Sequence, residues 1–379
     1  MTIDTLPDPV FISRHAALNR LADSLSREPI VAVDTESNSL YAYREQVCLI
    51  QFSTPDKDFL VDPLALKDLS VLAPVFRNPK IEKIFHAAEY DLICMKRDFG
   101  FEFNNLFDTM LAARILGRDA VGLGSMLESE FGVHLEKRYQ RANWGKRPLP
   151  PHLMAYARLD THFLIPLRDR LLQDLQRNDL LTLACEDFRR ITKVELNGRV
   201  PEDEATKCWR VSGSHDLEPQ QAAVLLELCA YREDVARSLN RPVFKVINNH
   251  TLLAIANETP QDLRELGKLP GMSRGQIERH GRSLLAAVQR GLQRDPIYPP
   301  RSTRPSDAYM DRLEAMRRWR KSTAQKMGVK SDVIMPRDLM NRIAEHNPSS
   351  MQELGEILQE VPWRLEHFGS QILQVLSRY

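Results

Sequence analysis

The sequence predicts an α/β domain built on a mixed sheet, followed by two small all-helical domains. Three observations predict it: strand-like and helix-like segments alternate through the first half, the second half repeats itself at a constant offset, and a proline-rich stretch separates the two copies. At 379 residues the chain exceeds one ordinary core and suits two or three domains of roughly 100–200 residues each. Apolar residues make up 43% and charged residues 27%, the balance of globular rather than disordered or fibrous chains.

The first half opens with a buried strand at Ile30 to Val33, followed by strands at Val47 to Phe52, Phe59 to Val61 and Ile81 to Phe85. Helical spacing follows in Leu92, Met95 and Phe99 and then in stretches near 108–116, 123–131 and 151–174. Pro166 interrupts the last of these and predicts a kink. Residues 197–214 are polar and turn-rich and read as a first linker. Residues 295–307, with four prolines, read as an extended second linker. The flanking segments match at an offset of 88: Tyr231 with Trp319, Arg232 with Arg320, Ile255 with Ile343, Pro260 with Pro348, Gly267 with Gly355 and Gly281 with Gly369. An ungapped match over that span predicts two copies of one helical unit. The expected boundaries are 1–196 for the α/β domain and 214–294 and 307–379 for the helical copies.

The net charge is only +1, so an anionic partner would be attracted by local basic patches, not by the overall field. Cys48, Cys94, Cys185, Cys208 and Cys229 are scattered without metal-like spacing and read as reduced thiols. The N-terminal MTIDTLPDPV lacks the basic start and apolar core of a signal peptide. No apolar run approaches the ~20 residues of a membrane span, and the expectation is a soluble cytoplasmic protein.

Three segments carry chemistry. After the strand the chain reads Asp34-Thr35-Glu36, and period-two alternation sends both acids to one face. Paired carboxylates repel unless a hard divalent cation such as Mg²⁺ or Mn²⁺ lies between them; acids ending a strand can also be plain solvated turn residues. In the stretch after Pro151, Leu153, Tyr156, Asp160, Leu164, Leu167 and Leu171 share an apolar stripe. A carboxylate buried there needs a cation, a positive partner or hydrogen-bond donors. Tyr156 lies one turn before it, on the same face, where both can serve one site; the alternative is a half-buried core aromatic. Asp91 follows the strand Ile81 to Phe85 at a helix start, where an acid also suits the helix dipole.

Acidic D-x-E on a strand, an Asp at a later helix start and Y-x-x-x-D on a late helix together resemble the DEDD exonuclease superfamily. Ala155, five before Asp160, stands where the histidine subtype has His, so the likeness is to the tyrosine subtype. The stretches VAVDTES, VCLIQFST, KIFHAAEYD, LEKRYQRANWGKRPLP and YARLDTHFL look like the ribonuclease D family, which includes the exonuclease of the eukaryotic nuclear exosome. The repeats resemble the helicase-and-ribonuclease-D C-terminal (HRDC) domain. The resemblance implies a ribonuclease H-like fold and 3′→5′ exonuclease action through two divalent ions held by Asp34, Glu36, Asp91 and Asp160. Tyr156 would orient the attacking water. The implied partner is RNA with a single-stranded 3′ end, tRNA precursors above all, met by a monomer.

Residues 132–148 interleave Lys137, Arg138, Gln140, Arg141, Lys146 and Arg147 with Tyr139 and Trp144, a mixture that suits single strands. The same stretch also reads as a solvated loop anchored by Trp144. His86 would touch the scissile region or sit hydrogen-bonded in the core. Leu40, Tyr41 and Tyr43 would stack on a terminal base or pack, and Ser37 departs from the aromatic commoner after D-x-E in the family. Arg317, Arg318, Arg320 and Lys321, with Lys326 and Lys330, form a basic run suited to backbone phosphates. A DNA exonuclease of the Werner type and a non-catalytic nucleic-acid binder are the rival readings. A helicase is disfavoured, since no G-x-x-x-x-G-K-[ST] loop occurs.

Overall fold

The computed structural model describes residues 6–195, 204–300 and 305–379. The first part runs β1 (Val10–Ile12), α1 (His15–Leu25), β2 (Ile30–Ser37), β3 (Val47–Ser53), β4 (Asp58–Val61), α2 (Ala73–Arg77), β5 (Glu82–Phe85), α3 (Glu89–Phe99), β6 (Leu106–Asp108), α4 (Thr109–Ile115), α5 (Leu123–Phe131), α6 (Pro151–His162), α7 (Leu164–Arg177) and α8 (Leu181–Thr192). The sheet has the order β1-β4-β3-β2-β5-β6. It is mixed: β2–β3 and β3–β4 pair antiparallel, while β2–β5, β5–β6 and β1–β4 pair parallel.

Alternation along β2 sends Val31, Val33 and Thr35 to one face and Ala32, Asp34 and Glu36 to the other. On the first face α1 and α3 bring Leu18, Leu21, Leu25, Leu92 and Met95 against Val31, Val33, Ile50 and Phe52. On the second, Ala32, Ile84 and Phe107 meet α4, α5, α7 and α8. There α6 crosses β2, β3 and β4, with Leu153, Tyr156 and Ala157 on Leu49 and Leu60. The expected kink is a full break at Phe163, three residues before Pro166. Lacking an N–H, the proline cannot bond the carbonyl of residue 162, so a new helix starts instead.

The second part runs α9 (Glu204–Cys208), α10 (Pro219–Ser238), α11 (Val243–Val246), α12 (Asn249–Glu258), α13 (Leu263–Leu266) and α14 (Arg274–Gln293). Its repeat is α15 (Asp307–Met327), α16 (Ser331–Ile334), α17 (Arg337–His346), α18 (Met351–Ile357) and α19 (Pro362–Leu376). At the offset of 88, α11 and α12 coincide with α16 and α17 residue for residue. The equivalence reaches side chains: Arg232 Nη1 donates to the Ile247 carbonyl at 3.2 Å and Arg320 Nη1 to the Met335 carbonyl at 3.0 Å.

Two sequence expectations are corrected here. The described part of the first linker is packed, because α9 and the following turn bury Cys208, Val211 and Ser214; residues 196–203 lie outside the described residues. Cys208 and Cys229 are joined in a disulfide rather than free, since the packing of α9 on α10 adjoins two sulfurs that lie far apart in sequence. Of the second linker, 295–300 hold no helix or strand and 301–304 lie outside the described residues.

The described residues form two compact units: 6–37, 47–195 and 305–379 in one, and 38–46 with 204–300 in the other. Within the first unit the helices α15–α19 are fastened to α8. The fully buried Arg364 meets Glu186 at 3.1 Å and Asp187 at 2.9 Å, while Arg190–Asp338 and Lys193–Glu360 add exposed ion pairs at 2.7 and 2.9 Å.

Candidate active site

The carboxyl end of β2 is where the chemistry-bearing residues gather. Beyond Glu36 the β2–β3 ladder is interrupted by a bulge on β3, where Cys48 is the extra residue: Glu36 pairs with Leu49 but Ser37 with Val47. A bulge bends its strand and ends the regular ladder, which leaves Asp34 and Glu36 as the last acids on the α6 face.

Asp160 comes from α6, whose buried face also carries Leu153, Tyr156, Ala157 and Thr161. The helical stripe read from the sequence is therefore the packed face, and Asp160 is only 6% exposed. Hydroxyl and imidazole groups pin α6 to the β3–β4 hairpin. Ser53 Oγ lies 2.7 Å from Thr161 Oγ1, and His162 Nδ1 lies 2.9 Å from Asp58 Oδ2.

Asp91 reaches the same place from the other face. It stands in the first turn of α3 and is buried, and the Thr35 hydroxyl donates to its Oδ1. The entry into α3 is built by Asp108. Its carboxylate accepts from the backbone N–H groups of Ala87 at 3.2 Å, Ala88 at 2.7 Å, Met110 at 2.8 Å and Leu111 at 3.0 Å. Ala87 has φ +63°, a conformation that costs a non-glycine residue and must be held by its surroundings. One buried acid thus fixes the turn before α3 and caps α4.

Burial raises the pKa of all four carboxylates, and for Asp34, Glu36 and Asp160 the charges of their fellows add to it. Asp34 is lifted well above the usual range by desolvation, then by the charges of Asp91, Asp160 and Glu36. Glu36 is lifted well above it by desolvation, then by Asp160 and Asp91. Asp160 rises to about 8 through desolvation and Asp91. Asp91 rises to about 7 through desolvation, against the Thr35 hydrogen bond. Among the described residues no three His, Cys, Asp or Glu side chains close into a metal cage by themselves. An opposite charge beside such a cluster favours the ionised form of each carboxyl and offsets both burial and like-charge repulsion. Clustered oxygen donors fit a hard divalent cation.

Tyr156 is buried one turn from Asp160. Its hydroxyl pKa is pushed up by burial first, then by Asp160, Glu36 and Asp34, so at neutral pH it is a hydrogen-bond donor and not a base. Gln140 hydrogen-bonds it, and the Tyr139 and Trp144 rings stand 5.5 and 6.2 Å away.

The basic loop divides into inner and outer members. Trp144, read from the sequence either as a stacking ring or as the anchor of the loop, is 1% exposed in the core with Leu149, Leu153 and Tyr156 and so takes the anchoring place. Arg147 is also engaged inward: it grips Asp62 with two bonds of 2.7 Å and donates to the carbonyls of Cys48, Trp144 and Lys146. Arg138 and Gln140 are exposed, Arg138 pairing with Glu136 at 2.5 Å. The side chain of Lys137 lies outside the described residues. His86 bonds Thr109 Oγ1 at 2.9 Å, and burial lowers its pKa to about 4; it is a neutral, tethered ring and no phosphate cation. In the second repeat Arg317, Arg318 and Lys321 are exposed. Arg320 instead turns inward to Met335, which removes it from the expected basic face.

Thr35, Gln51, Asp108 and the Arg147–Asp62 clasp went unread in the sequence. Each depends on which strands pair or where a loop returns, and spacing along one segment does not carry that.

A profile of 3′-5′ exonuclease domains matches residues 9–176, and an HRDC domain profile matches 221–288 and 310–376. Ribonuclease D of Gluconacetobacter diazotrophicus is 32% identical over 285 residues, covering 74% of this chain and 72% of the relative. The chain belongs to the ribonuclease D family. A solved ribonuclease D from Escherichia coli, described as an exoribonuclease involved in structured RNA processing, aligns over 98% of this chain and 100% of its own, with a TM-score of 0.70 and 27% identity. Protein RRP6-like 3 of Arabidopsis thaliana is 31% identical over 279 residues, and this chain spans 31% of its length. Membership of the ribonuclease D family implies dependence on a divalent metal. No helix among the described residues is long and apolar enough to cross a membrane.

Proposed function

We propose that the chain is a metal-dependent 3′→5′ exoribonuclease that releases nucleoside 5′-monophosphates from single-stranded RNA 3′ ends. The observation that carries the reading is the meeting of Asp34, Glu36, Asp91 and Asp160, from β2, α3 and α6, with every one of their pKa values raised. These four would hold two divalent ions, Mg²⁺ or Mn²⁺. When bound, such ions supply an activated water and offset charge on the phosphate and the leaving 3′ oxygen. The chain itself then needs no covalent nucleophile. Tyr156, kept protonated and tied to Gln140, would orient the water through its hydroxyl.

The exposed Arg138 and Gln140, with Lys137, would follow the RNA backbone, and Arg317, Arg318 and Lys321 would add phosphate contacts on the second repeat. The family likeness supports trimming of tRNA precursors and other structured RNAs by a cytoplasmic monomer. The experiment is a time course on matched 3′-tailed RNA and DNA with Mg²⁺, Mn²⁺ or EDTA. Mononucleotides from the RNA tail in either metal, and none in EDTA, are expected; metal-independent hydrolysis refutes the reading, and equal cleavage of DNA refutes RNA as the preferred substrate.

A further inference from the structure

Gln51 on β3 stands directly opposite Asp34 on β2. Cross-strand partners project to one face with their Cβ atoms about 5 Å apart, so amide and carboxylate leave the sheet side by side, on the face that α6 covers. On its other side Gln51 pairs with Leu60 of β4. It has no solvent exposure, and neither Oε1 nor Nε2 has a hydrogen-bond partner. Among the described residues no other side chain leaves two buried polar atoms unpaired. Of its neighbours on the same face Leu49 and Leu60 are apolar and fully buried, while the buried Ser53 is already bonded to Asp58 and Thr161, so leucine or methionine would fill the slot without burying an unpaired amide.

A buried glutamine in that slot needs a partner, and the carboxylate beside it is the available one. An ionised carboxylate has about four acceptor positions, more than one cation takes up. We propose that Gln51 is a positioning residue for the cation-holding cluster, its Nε2–H donating to an Asp34 oxygen once the ion draws the carboxylates inward. Asp34 would then keep one orientation instead of several. Partners that orient metal ligands in this way are worth about 10–100-fold in metal affinity. The inference rests on the reading of Asp34, Glu36, Asp91 and Asp160 as cation ligands.

The test is Mn²⁺ titration by calorimetry on the full chain, comparing wild type, Gln51→Leu, Gln51→Met and Asp34→Asn, with melting temperatures in EDTA alongside. Mn²⁺ affinity should fall about 10–100-fold in the Gln51 variants, with the melting temperature in EDTA unchanged or raised. Unchanged Mn²⁺ affinity in a folded Gln51 variant overturns the proposal while leaving the carboxylate reading intact. Failure of both Gln51 variants to fold by circular dichroism also overturns it, since the amide would then be structural. A wild type that binds no Mn²⁺, or binds it equally after Asp34→Asn, removes the carboxylate reading and this inference together.

Discussion

Asp160 is shut away from solvent and faces the charge of Asp91, and its pKa reaches about 8 for those two reasons. Asp160→Asn or Asp34→Asn should reduce hydrolysis at least ~10³-fold, the equivalent of several kcal/mol of charge stabilisation. RNA affinity by anisotropy in EDTA should stay within a few fold. Tyr156→Phe keeps the buried ring and removes one hydrogen bond, so a loss of about tenfold in rate is expected from a ~1.5 kcal/mol contact. An undiminished rate would leave the tyrosine a packing residue. The raised pKa values also set a pH dependence. Asp91 at about 7 and Asp160 at about 8 bind protons in the folded chain that the unfolded chain, near 3.9, does not. In that window the folded state carries more protons, so stability rises as pH falls. The melting temperature of the metal-free protein should therefore climb from pH 8 toward pH 5, and saturating Mn²⁺ should flatten the slope. Cation affinity should run the other way, weakening as the acids protonate.

Helix α6 supplies both Tyr156 and Asp160, and the loop before it is folded back by Arg147. Arg147→Ala would leave Asp62 buried without its partner, a loss of about 2–4 kcal/mol measurable by denaturant unfolding. Because the same loop carries Gln140 to the Tyr156 hydroxyl, the hydrolysis rate should drop as well. This is the level at which the sequence was least legible. β2, β3, β4 and β5 announced themselves as apolar runs, and α6 did so through its stripe, because burial and period leave a trace in the residues themselves. β1 and β6 are three residues each, too short for alternation to register. Asp34, Glu36 and Asp160 were readable from their own segments. Gln51 was not, because its meaning lies in a register with β2, and Arg147 looked like one more cation in a basic loop until Asp62 returned beside it.

The two helical repeats share a scaffold but not a setting. At equivalent positions Gln276 Nε2 bonds the Val246 carbonyl at 3.0 Å and Arg364 Nε bonds the Ile334 carbonyl at 3.1 Å. Both side chains thus close the same internal turn. Arg364 additionally extends to Glu186 and Asp187 on α8, which Gln276 is too short and uncharged to imitate. Arg364→Gln should leave the second repeat folded, with its internal bond restored in the manner of the first. It should also strip the attachment to α8 of about 3 kcal/mol, since the buried Glu186 loses its cation and keeps only the Trp363 N–H. Hydrogen exchange would show the loss as faster exchange along α8 and the N-terminal turn of α19, with the interior of α15 still protected. In terms of descent, the substitution recreates at position 364 the residue found in the sister copy. The fastening gathers on positions where the two copies differ, Arg364, Asp338 and Glu360 standing where the sister copy has Gln276, His250 and Met272, so one duplicated scaffold serves two settings through a handful of side chains.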